Sequence, residues 1–330
     1  MIRDALFWHK ENDRIRCRLC PHQCLVSEGK SGICSVRVNN GGMLQTENYG
    51  EITSMAVDPI EKKPLYHFKP GKNILSVGTF GCNLSCSFCQ NYSIAHFRSR
   101  SEYLPAEQLA ASITALDQSG NIGIAFTYNE PAVWFEYVFD TAKGLKEAFP
   151  ELCIVLVSNG YIEVEPLETL LPYVDAMNID LKSMAPQYYK EICGGSLQPV
   201  LRTIETAQSK CHVEITTLLV NGMNDSEKEI NEIAAYLSSL DKDIPLHLSR
   251  YYPSYKMTRP ATDVNVMKRT AEIAKEYLNY VYLGNIPGLD NSTYCKVCNE
   301  RLIHRAGFAV KVLMDEAICR NCLTPVPIRL

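Results

Sequence analysis

Most cysteines of this chain fall into three tight groups, which form the clearest chemical signal in the sequence. The 330 residues include 14 cysteines, and the groups are Cys17, Cys20, Cys24 and Cys34 (the N-terminal group), Cys82, Cys86 and Cys89 (the middle group), and Cys295, Cys298, Cys319 and Cys322 (the C-terminal group). Clustered thiols indicate metal binding in a reducing compartment, where disulfides are rare. Of the scattered cysteines, Cys153 and Cys211 lie in apolar runs and are predicted to be small core side chains, whereas Cys193 has no assigned role.

The middle group has a spacing that suits an iron–sulfur cluster. Its three thiolates follow a strand-like run and can bind three irons of a [4Fe–4S] cluster, which leaves the fourth iron open to an outside ligand. Phe88 precedes the last cysteine and is expected to shield the cluster from water and so to tune its potential. The alternative is a zinc site completed by His67 or His96, although this spacing is uncommon for zinc.

The two terminal groups each supply four thiols, enough to close a metal site. In the N-terminal group, Pro21, Gly29 and Gly32 would provide the tight turns. The C-terminal group has the paired spacing of a zinc ribbon or rubredoxin-like module, with a strand-like run over 308–313 between the pairs. We expect Zn²⁺ because it needs no redox partner, with iron as the alternative at either site. So short a C-terminal segment has no independent core, so the metal would hold it together.

Composition and charge exclude several other classes of protein. Apolar residues make up 46% and charged residues 21% of the chain, which is typical of a globular protein. The net charge of −4 does not favour non-specific nucleic-acid binding. The longest uncharged stretch, 73–97, is too rich in Asn, Ser, Gly and Cys to cross a membrane, and the N-terminus does not resemble a signal peptide. We therefore expect a cytoplasmic protein.

The elements that must position these groups alternate between strands and helices from about residue 73 to 284. Apolar, β-branched runs predict strands over 74–79, 122–127, 152–158, 176–181, 211–220 and 245–250, with 281–284 as a seventh candidate. Pro105 and Pro131 mark helix starts, and Ser226 with Glu229 forms a capping box. This alternation predicts an α/β fold, either a doubly wound sheet or a full or partial (β/α) barrel.

Polar side chains recur where the predicted strands end. Besides the middle group after the first strand, these are Asn129 and Glu130, Ser158 and Asn159, Asp180 and Lys182, and Asn221, while His247 falls within the sixth strand. Both candidate architectures place active residues at the carboxyl ends of their strands. The sequence therefore predicts a single site assembled from several strand ends. For Glu130 alone, an exposed acid at a helix start is the alternative.

The middle group with Phe88 resembles the cluster motif of the radical S-adenosylmethionine (radical SAM) superfamily, and the resemblance covers about residues 67–285. It implies a partial (β/α)6 barrel with a [4Fe–4S] cluster whose open iron is chelated by S-adenosylmethionine. One electron from such a cluster cleaves a carbon–sulfur bond and yields methionine and a 5′-deoxyadenosyl radical. An electron donor of the flavodoxin or ferredoxin type is then expected as a partner.

The resemblance also implies roles for the strand-end residues. The run Thr127–Pro131 is similar to a Gly-Gly-Glu-Pro turn that holds the methionyl amino group, although both glycines are absent here. Asp180-Leu181-Lys182, Ser158-Asn159-Gly160 and His247 resemble cofactor-binding positions of the pyruvate formate-lyase activating enzymes. By this resemblance Lys182 pairs with the methionyl carboxylate, Asp180 with the ribose hydroxyls or a cation, and His247 lies near the nucleoside.

The whole layout is similar to the radical SAM branch of the AmmeMemoRadiSam group. The shared runs are CRLCPHQC at 17–24, GIC at 32–34, DPIEKKPLYHF at 58–68 and YNEP at 128–131. We expect an N-terminal metal-binding segment and linker over 1–66, a radical SAM core over 67–285 and a zinc-ribbon-like module over 286–330. The segment 58–68, bracketed by prolines, is either a gate or docking loop or a rigid linker.

Three functions follow from these features. The first is a radical SAM enzyme that abstracts hydrogen from a protein or small-molecule substrate, with glycyl-radical activation of a partner protein as one option. The second is a non-catalytic module that binds several zinc ions. The third is electron transfer through auxiliary clusters. Metal content and cleavage of S-adenosylmethionine distinguish them.

Overall fold

A computed structural model describes residues 2–116 and 120–330 of the chain. The N-terminal region consists of short antiparallel strands: β1 (Arg3–Asp4), β2 (Trp8–Glu11), β3 (Arg14–Cys17), β4 (Leu25–Val26), β5 (Arg37–Asn40), β6 (Met43–Thr46) and β7 (Glu51–Ile52). They form two three-stranded sheets, with orders β1-β6-β5 and β2-β3-β4, while β7 pairs with β10 (Glu102–Tyr103). Buried Ile15, Leu19 and Leu44 belong to the main hydrophobic core, so this region packs directly on the rest of the molecule.

One eight-stranded sheet forms the centre of the fold. Its strands are β8 (Ser54–Pro59), β9 (Asn73–Gly78), β11 (Asn121–Phe126), β12 (Cys153–Ser158), β13 (Ala176–Asp180), β14 (His212–Leu219), β15 (Leu246–Arg250) and β16 (Val281–Gly284). They lie in the order β16-β15-β14-β13-β12-β11-β9-β8. Neighbours from β9 to β16 are parallel, and β8 is antiparallel to β9. The predicted α/β fold is confirmed, and the predicted strands agree with the observed ones to within one or two residues.

Helices connect the parallel strands, as a β-α alternation requires. They are α1 (Tyr92–Ala95), α2 (Ala106–Ala115), α3 (Phe135–Ala148), α4 (Val164–Leu170), α5 (Pro186–Tyr188), α6 (Leu197–Gln208), α7 (Glu227–Leu240) and α8 (Val264–Lys275). Half of the predicted capping box is observed: the Ser226 hydroxyl accepts a hydrogen bond from Glu229 N at 3.2 Å, whereas the Glu229 carboxylate accepts from the Ser183 hydroxyl and Met184 N. Pro131 opens a 3-10 turn, Pro131–Trp134, that leads into α3.

The C-terminal region forms a separate small sheet of β17 (Thr293–Tyr294), β18 (Arg301–Ala306) and β19 (Ala309–Val312). The prediction that this segment has no core of its own is wrong, because Leu302 and Ile303 form a small separate core with the C-terminal group. The chain end returns to the barrel, where Arg329 bridges to Phe68 beside β9. Over residues 2–116 and 120–330, no helix combines the length and apolar character needed to cross a bilayer.

Candidate active site at the carboxyl ends of the strands

Most of the predicted strand-end residues meet at one cavity of about 360 Å³, although Asn221 does not line it and instead accepts a hydrogen bond from Arg259 through its carbonyl oxygen. Parallel strands share their direction, so residues that follow different strands come together at one edge of the sheet. The cavity is lined by Cys82, Cys86, Cys89, Asn129, Glu130, Ser158, Asn159, Asp180 and Lys182, among others. Of the residues predicted for the cofactor site and the middle group, His247 is the one placed elsewhere. It lines an adjoining cavity of about 650 Å³, which shares Thr216 and Ser249 with the first.

The loop that carries the middle group is fixed by buried polar contacts. Asn83 is fully buried; its side-chain amide donates to Tyr161 O at 2.6 Å and its Oδ1 accepts from Asn159 Nδ2 at 2.9 Å. Gly81 has φ +95°, and a Cβ there would lie 2.6 Å from a methyl group of Val36. Only glycine fits this position without displacing the N-terminal region. The loop geometry therefore depends on groups from β12 and from the N-terminal region.

The three thiols have the environment of metal ligands. Burial raises the pKa of Cys82 well above its ordinary value, so as a free thiol it would stay protonated. Its sulfur nevertheless accepts from Leu84 N at 3.4 Å and from Asn159 Nδ2 at 3.7 Å, contacts that stabilise a thiolate. The aromatic ring of Phe88 is buried beside them. Three thiols that share one cavity, with N–H donors at Cys82 and a buried aromatic side chain beside them, fit an iron–sulfur cluster by the chemistry of the donor set.

A segment that the sequence did not flag clamps this loop from the opposite side. The turn Tyr189–Cys193 is a π-helix whose end pairs with the loop: Ser85 N donates to Cys193 O at 2.8 Å and Ser87 N to Ile192 O at 3.0 Å. Cys193 is fully buried and its thiol contacts Cys86. In the sequence, the run Cys-Gly-Gly at 193–195 is the local feature that could have indicated this close contact. A Cβ on Gly194 would lie 2.2 Å from the Ser85 hydroxyl oxygen, so glycine is needed there.

Glu130 is a buried carboxylate that joins the ends of two strands. Its Oε1 accepts from Ala132 N at 2.9 Å and from the Ser158 hydroxyl at 2.8 Å, and its Oε2 accepts from Asn159 N at 2.8 Å. Burial raises its pKa to about 7, against the effect of these donors. The alternative of an exposed helix-start acid is wrong, because Glu130 is only 1% exposed, although it does cap the following 3-10 turn.

The two positions that carry glycine in the related turn are filled here by Tyr128 and Asn129. Tyr128 has φ +72°, a left-handed conformation that glycine adopts without strain. Its hydroxyl donates to Asp58 Oδ2 at 2.9 Å, a contact that glycine could not make. Asn129 accepts from Thr79 N at 3.1 Å and donates to Gly81 O at 2.8 Å. The departure from the family pattern thus links this turn to the middle-group loop and to β8.

Asp180 and Lys182 form an ion pair on the opposite wall of the cavity. Lys182 Nζ lies 2.9 Å from Asp180 Oδ2 and 5.8 Å from the centre of the Phe88 ring. Burial opposes its charge, but Asp180 and Cys86 raise the pKa of Lys182 well above the ordinary value. A permanent cation therefore lies beside the middle group, where it can bind an anionic group of a ligand.

His247 is held by a buried carboxylate that the sequence did not reveal. Its Nε2 donates to Glu214 Oε2 at 2.7 Å, and Glu214 Oε1 accepts from His212 Nε2 at 2.9 Å and from His67 N at 2.7 Å. Burial opposes the charge of Glu214, but the two histidine hydrogen bonds hold its pKa well below the ordinary value. In the sequence, Glu214 is an acid within an apolar strand-like run, and this is the feature that could have indicated a buried carboxylate.

Segment 58–68 is anchored to the barrel. Asp58, the penultimate residue of β8, accepts hydrogen bonds from Lys62 Nζ at 3.0 Å and Lys63 Nζ at 2.9 Å. Lys63 is buried, and its ammonium lies 4.8 Å from the centre of the Tyr128 ring. These contacts bring both lysines to the wall of the first cavity.

The terminal groups are also assembled. In the C-terminal group, Cys295 Sγ lies 3.5 Å from Cys322 Sγ and Cys298 Sγ lies 3.5 Å from Cys319 Sγ, and all four sulfurs fall within 4.8 Å of one another. The thiols of the N-terminal group are close enough to interact electrostatically, with Cys20 influenced by the other three. His67 contacts Tyr282 and His96 stacks on Tyr255, and among the described residues neither forms such a compact ligand set with the middle group.

Comparison with known proteins agrees with this geometry. The sequence profile of the Radical SAM superfamily matches residues 76–237. The chain is 38% identical over 331 residues to an uncharacterised protein of Methanocaldococcus jannaschii, covering 97% of both chains. It is 27% identical over 190 residues to the pyruvate formate-lyase-activating enzyme of Clostridium pasteurianum, covering 55% of this chain and 77% of that protein.

A solved structure shares the fold. SuiB of Streptococcus suis bound to S-adenosylmethionine superimposes with a TM-score of 0.52 at 15% identity, over 68% of this chain and 52% of that chain. At this level of identity the likeness concerns the fold alone.

Proposed function

This chain belongs to the radical SAM superfamily, and we propose that it is a radical SAM enzyme whose [4Fe–4S] cluster is bound by Cys82, Cys86 and Cys89. One observation carries this proposal: these thiols share a single cavity with Glu130 and Lys182, at the carboxyl ends of the parallel strands. A non-catalytic zinc module would have no need of such a cavity. Membership of the family supports the class of chemistry, and the shared cavity supports the proposal that it takes place at these strand ends.

The cavity residues fit S-adenosylmethionine by charge. Lys182 would bind the methionyl carboxylate, and Asp180 the ribose hydroxyls or a cation. Asn129, Glu130, Ser158 and Asn159 complete the proposed cofactor site, and His247 would lie towards the nucleoside. When both groups are bound, electron transfer from the cluster cleaves S-adenosylmethionine to methionine and a 5′-deoxyadenosyl radical.

The chain's own residues orient these groups and keep water away. Glu130 fixes the relative position of β11 and β12 through its three hydrogen bonds, and its raised pKa allows it to hold or release a proton near neutral pH. Leu84 and Phe88 are buried beside the thiols and would exclude solvent from the reacting groups. Lys182 would hold the cofactor carboxylate without changing protonation state.

We infer that the substrate binds in the adjoining cavity and would give up a hydrogen atom to the 5′-deoxyadenosyl radical, which would become 5′-deoxyadenosine. Its volume of about 650 Å³ is within the range of about 300–1,000 Å³ that small-molecule sites occupy. Its rim includes exposed Phe308 from the C-terminal module and Tyr252. The substrate is a small molecule or a segment of a partner protein, and similarity to a pyruvate formate-lyase-activating enzyme supports glycyl-radical activation as the protein-directed option.

We further propose the organisation that would serve this chemistry. Residues 1–66 would bind a metal and brace the cluster loop, 67–285 would form the catalytic core, and 286–330 would bind Zn²⁺. The C-terminal sulfurs lie within 4.8 Å of each other, a separation that suits a single tetrahedral ion. A cytoplasmic carrier of the flavodoxin or ferredoxin type would deliver the electron.

The decisive experiment is an assay for 5′-deoxyadenosine. Anaerobically purified protein, reconstituted with iron and sulfide, is incubated with S-adenosylmethionine and dithionite. We expect 5′-deoxyadenosine and a change in the electron paramagnetic resonance (EPR) spectrum of the reduced cluster when S-adenosylmethionine is added. Protein that contains zinc alone, or a cluster that does not respond to S-adenosylmethionine, would contradict the proposal.

A further inference from the structure

The N-terminal group is built as a site for an anionic metal–thiolate centre. Two of its sulfurs accept hydrogen bonds, Cys24 from Ile33 N at 3.4 Å and Cys17 from the Arg37 guanidinium at 3.7 Å. The backbone N–H groups of His22, Val36 and Arg37 favour the thiolate forms of Cys20 and Cys34. Hydrogen bonds of this kind stabilise thiolates bound to metal.

The turn at Gly32 packs closely against two of the sulfurs. A Cβ on buried Gly32 would lie 3.4 Å from Cys24 Sγ and 3.9 Å from Cys34 Sγ. Arg37 is only 1% exposed and is paired with Glu136, so its guanidinium is held in place beside Cys17. A buried cation next to thiols is expected where the occupied site carries negative charge.

The spacing of the sulfurs distinguishes one metal ion from a cluster. Thiolates on a single tetrahedral Zn²⁺ lie about 3.8 Å apart, because each Zn–S bond is about 2.3 Å long. Among the described residues, the C-terminal group is the only set of three or more such ligands whose atoms all lie within 4.8 Å of one another. In the described part of the chain, neither the N-terminal group nor the middle group meets this 4.8 Å limit, and thiolates on a multi-iron cube lie farther apart than thiolates on one zinc ion.

We propose that Cys17, Cys20, Cys24 and Cys34 bind a second iron–sulfur cluster of the [4Fe–4S] type, which passes electrons to the cluster on the middle group. The electron-transfer part of this proposal rests on the proposed function of the middle group. The N-terminal cluster would take one electron from a one-electron carrier protein and give one electron to its neighbour, so that it returns to its starting state.

The contact between the N-terminal group and the middle group supports electron transfer between them. The Cys34 carbonyl oxygen would lie 2.9 Å from a Cβ on Gly81, the residue before Cys82. On the other side of Cys82, Asn83 O accepts from His22 Nε2 at 2.6 Å. His22 lies between Cys20 and Cys24, so a short hydrogen-bonded path joins the two loops. Cys20, Cys24 and Cys34 are all partly exposed, which leaves the N-terminal site open to a carrier protein.

The metal is tested with two complementary variants of the full chain. In the variant Cys82→Ala/Cys86→Ala/Cys89→Ala, anaerobic reconstitution should leave about half of the wild-type iron and sulfide, or about four of each per chain. Its EPR spectrum after reduction should not respond to S-adenosylmethionine. The variant Cys20→Ser/Cys24→Ser should lose the other half and keep the response. A triple variant that holds zinc without sulfide, or that holds no metal at the N-terminal group, would overturn the proposal.

Proximity is tested by the same spectra. Two reduced clusters in adjacent loops should broaden each other's signals, so the wild-type spectrum should be broader than the sum of the two variants' spectra. A wild-type spectrum equal to that sum would refute the electron-transfer role. Failure of 5′-deoxyadenosine formation in a wild-type protein with both clusters would instead contradict the proposed function and leave the N-terminal assignment intact.

Discussion

The Arg305 guanidinium lies 4.3 Å from the centre of the Tyr66 ring and donates to Tyr66 O at 2.6 Å. Arg305 belongs to β18 of the C-terminal module, whereas Tyr66 belongs to segment 58–68 and lines the larger cavity. The Arg305 Nε atom also lies 3.7 Å from Glu61 Oε1, and both side chains are buried. The C-terminal module is therefore joined to the wall of the proposed substrate site through a buried cation.

Replacing Arg305 should destabilise the protein strongly. Arg305→Ala leaves the Glu61 carboxylate buried without its cation, and breaking a buried pair in this way costs about 3–5 kcal/mol. We expect that loss in the free energy of unfolding measured by urea denaturation. Arg320→Ala is the matched control, because Arg320 pairs with Asp315 at the surface and should contribute less than about 1 kcal/mol. If both variants lose the same free energy of unfolding, the buried pair contributes no more to stability than the surface pair.

Removing zinc should loosen the C-terminal module before the barrel. The module has only a small core around Leu302 and Ile303, so its metal would supply much of its stability. After treatment with a zinc chelator, hydrogen exchange should accelerate first in β17–β19 and then in the contact between Arg329 and residue 68. Barrel strands β11–β13 should keep their protection. If those strands exchange first, the metal does not act locally on this module.

The barrel was predictable from sequence because parallel strands covered on both faces are unbroken apolar runs. The predicted strand 176–181 is observed as Ala176–Asp180, and 281–284 as Val281–Gly284. Against such runs the polar strand-end residues stand out. The sequence alone therefore indicates Asp180 and Lys182 as site residues. Their ion pair, with Lys182 Nζ 2.9 Å from Asp180 Oδ2, is visible only in the structure.

Contacts between distant segments were not predictable from local patterns. Glu214 is one acid in an apolar strand, and only the fold shows that it holds His212 and His247. The sequence assigns no role to Cys193, because the loop that it contacts lies in a distant part of the chain. His247 lines the adjoining cavity, next to its register partner Thr216, which lines both cavities, and its proposed place near the nucleoside stays a prediction.

The buried His67 should make stability depend on pH. Burial lowers its pKa to about 3, and the neutral ring accepts from the Tyr282 hydroxyl at 2.6 Å. The unfolded chain binds a proton near pH 6.5 that the folded protein cannot bind until about pH 3, so stability is lost as pH falls through this window. The maximal slope from this group is about 1.4 kcal/mol per pH unit.

His67→Gln preserves an acceptor for Tyr282 and should flatten that dependence. The measurement is urea denaturation of metal-free protein at several pH values between roughly 4 and 7, which covers the upper part of the window set by the pKa shift. The same substitution at exposed His9 is the control and should reproduce the wild-type slope. An unchanged slope in His67→Gln would mean that other groups cause the acid sensitivity.

Replacing Cys86 should abolish cleavage of S-adenosylmethionine while the fold is retained. A cluster bound by two thiolates cannot keep the geometry that leaves one iron open. Cys86→Ala should give no 5′-deoxyadenosine with dithionite, and its circular dichroism spectrum should match the wild type. Cys211→Ala is the control, since Cys211 is equally buried but lies away from the cavity. Cleavage by Cys86→Ala would show that the middle group does not bind the catalytic cluster.

Lys182 should contribute to cofactor affinity through its charge. A charge-assisted hydrogen bond to the methionyl carboxylate is worth about 1.5–3 kcal/mol, which corresponds to a loss of roughly 10- to 100-fold in affinity when it is removed. We expect Lys182→Met to raise the Kd for S-adenosylmethionine, measured by equilibrium dialysis with the reconstituted protein, by that factor. Lys146→Met is the control, because Lys146 forms a comparable ion pair with Asp175 at 2.8 Å outside the cavity.

Because Lys182 also neutralises Asp180, the double variant Lys182→Met/Asp180→Asn separates the loss of a bond to the cofactor from repulsion of the cofactor by Asp180. If affinity returns in the double variant, Lys182 acts only by neutralising Asp180 and does not bind the cofactor.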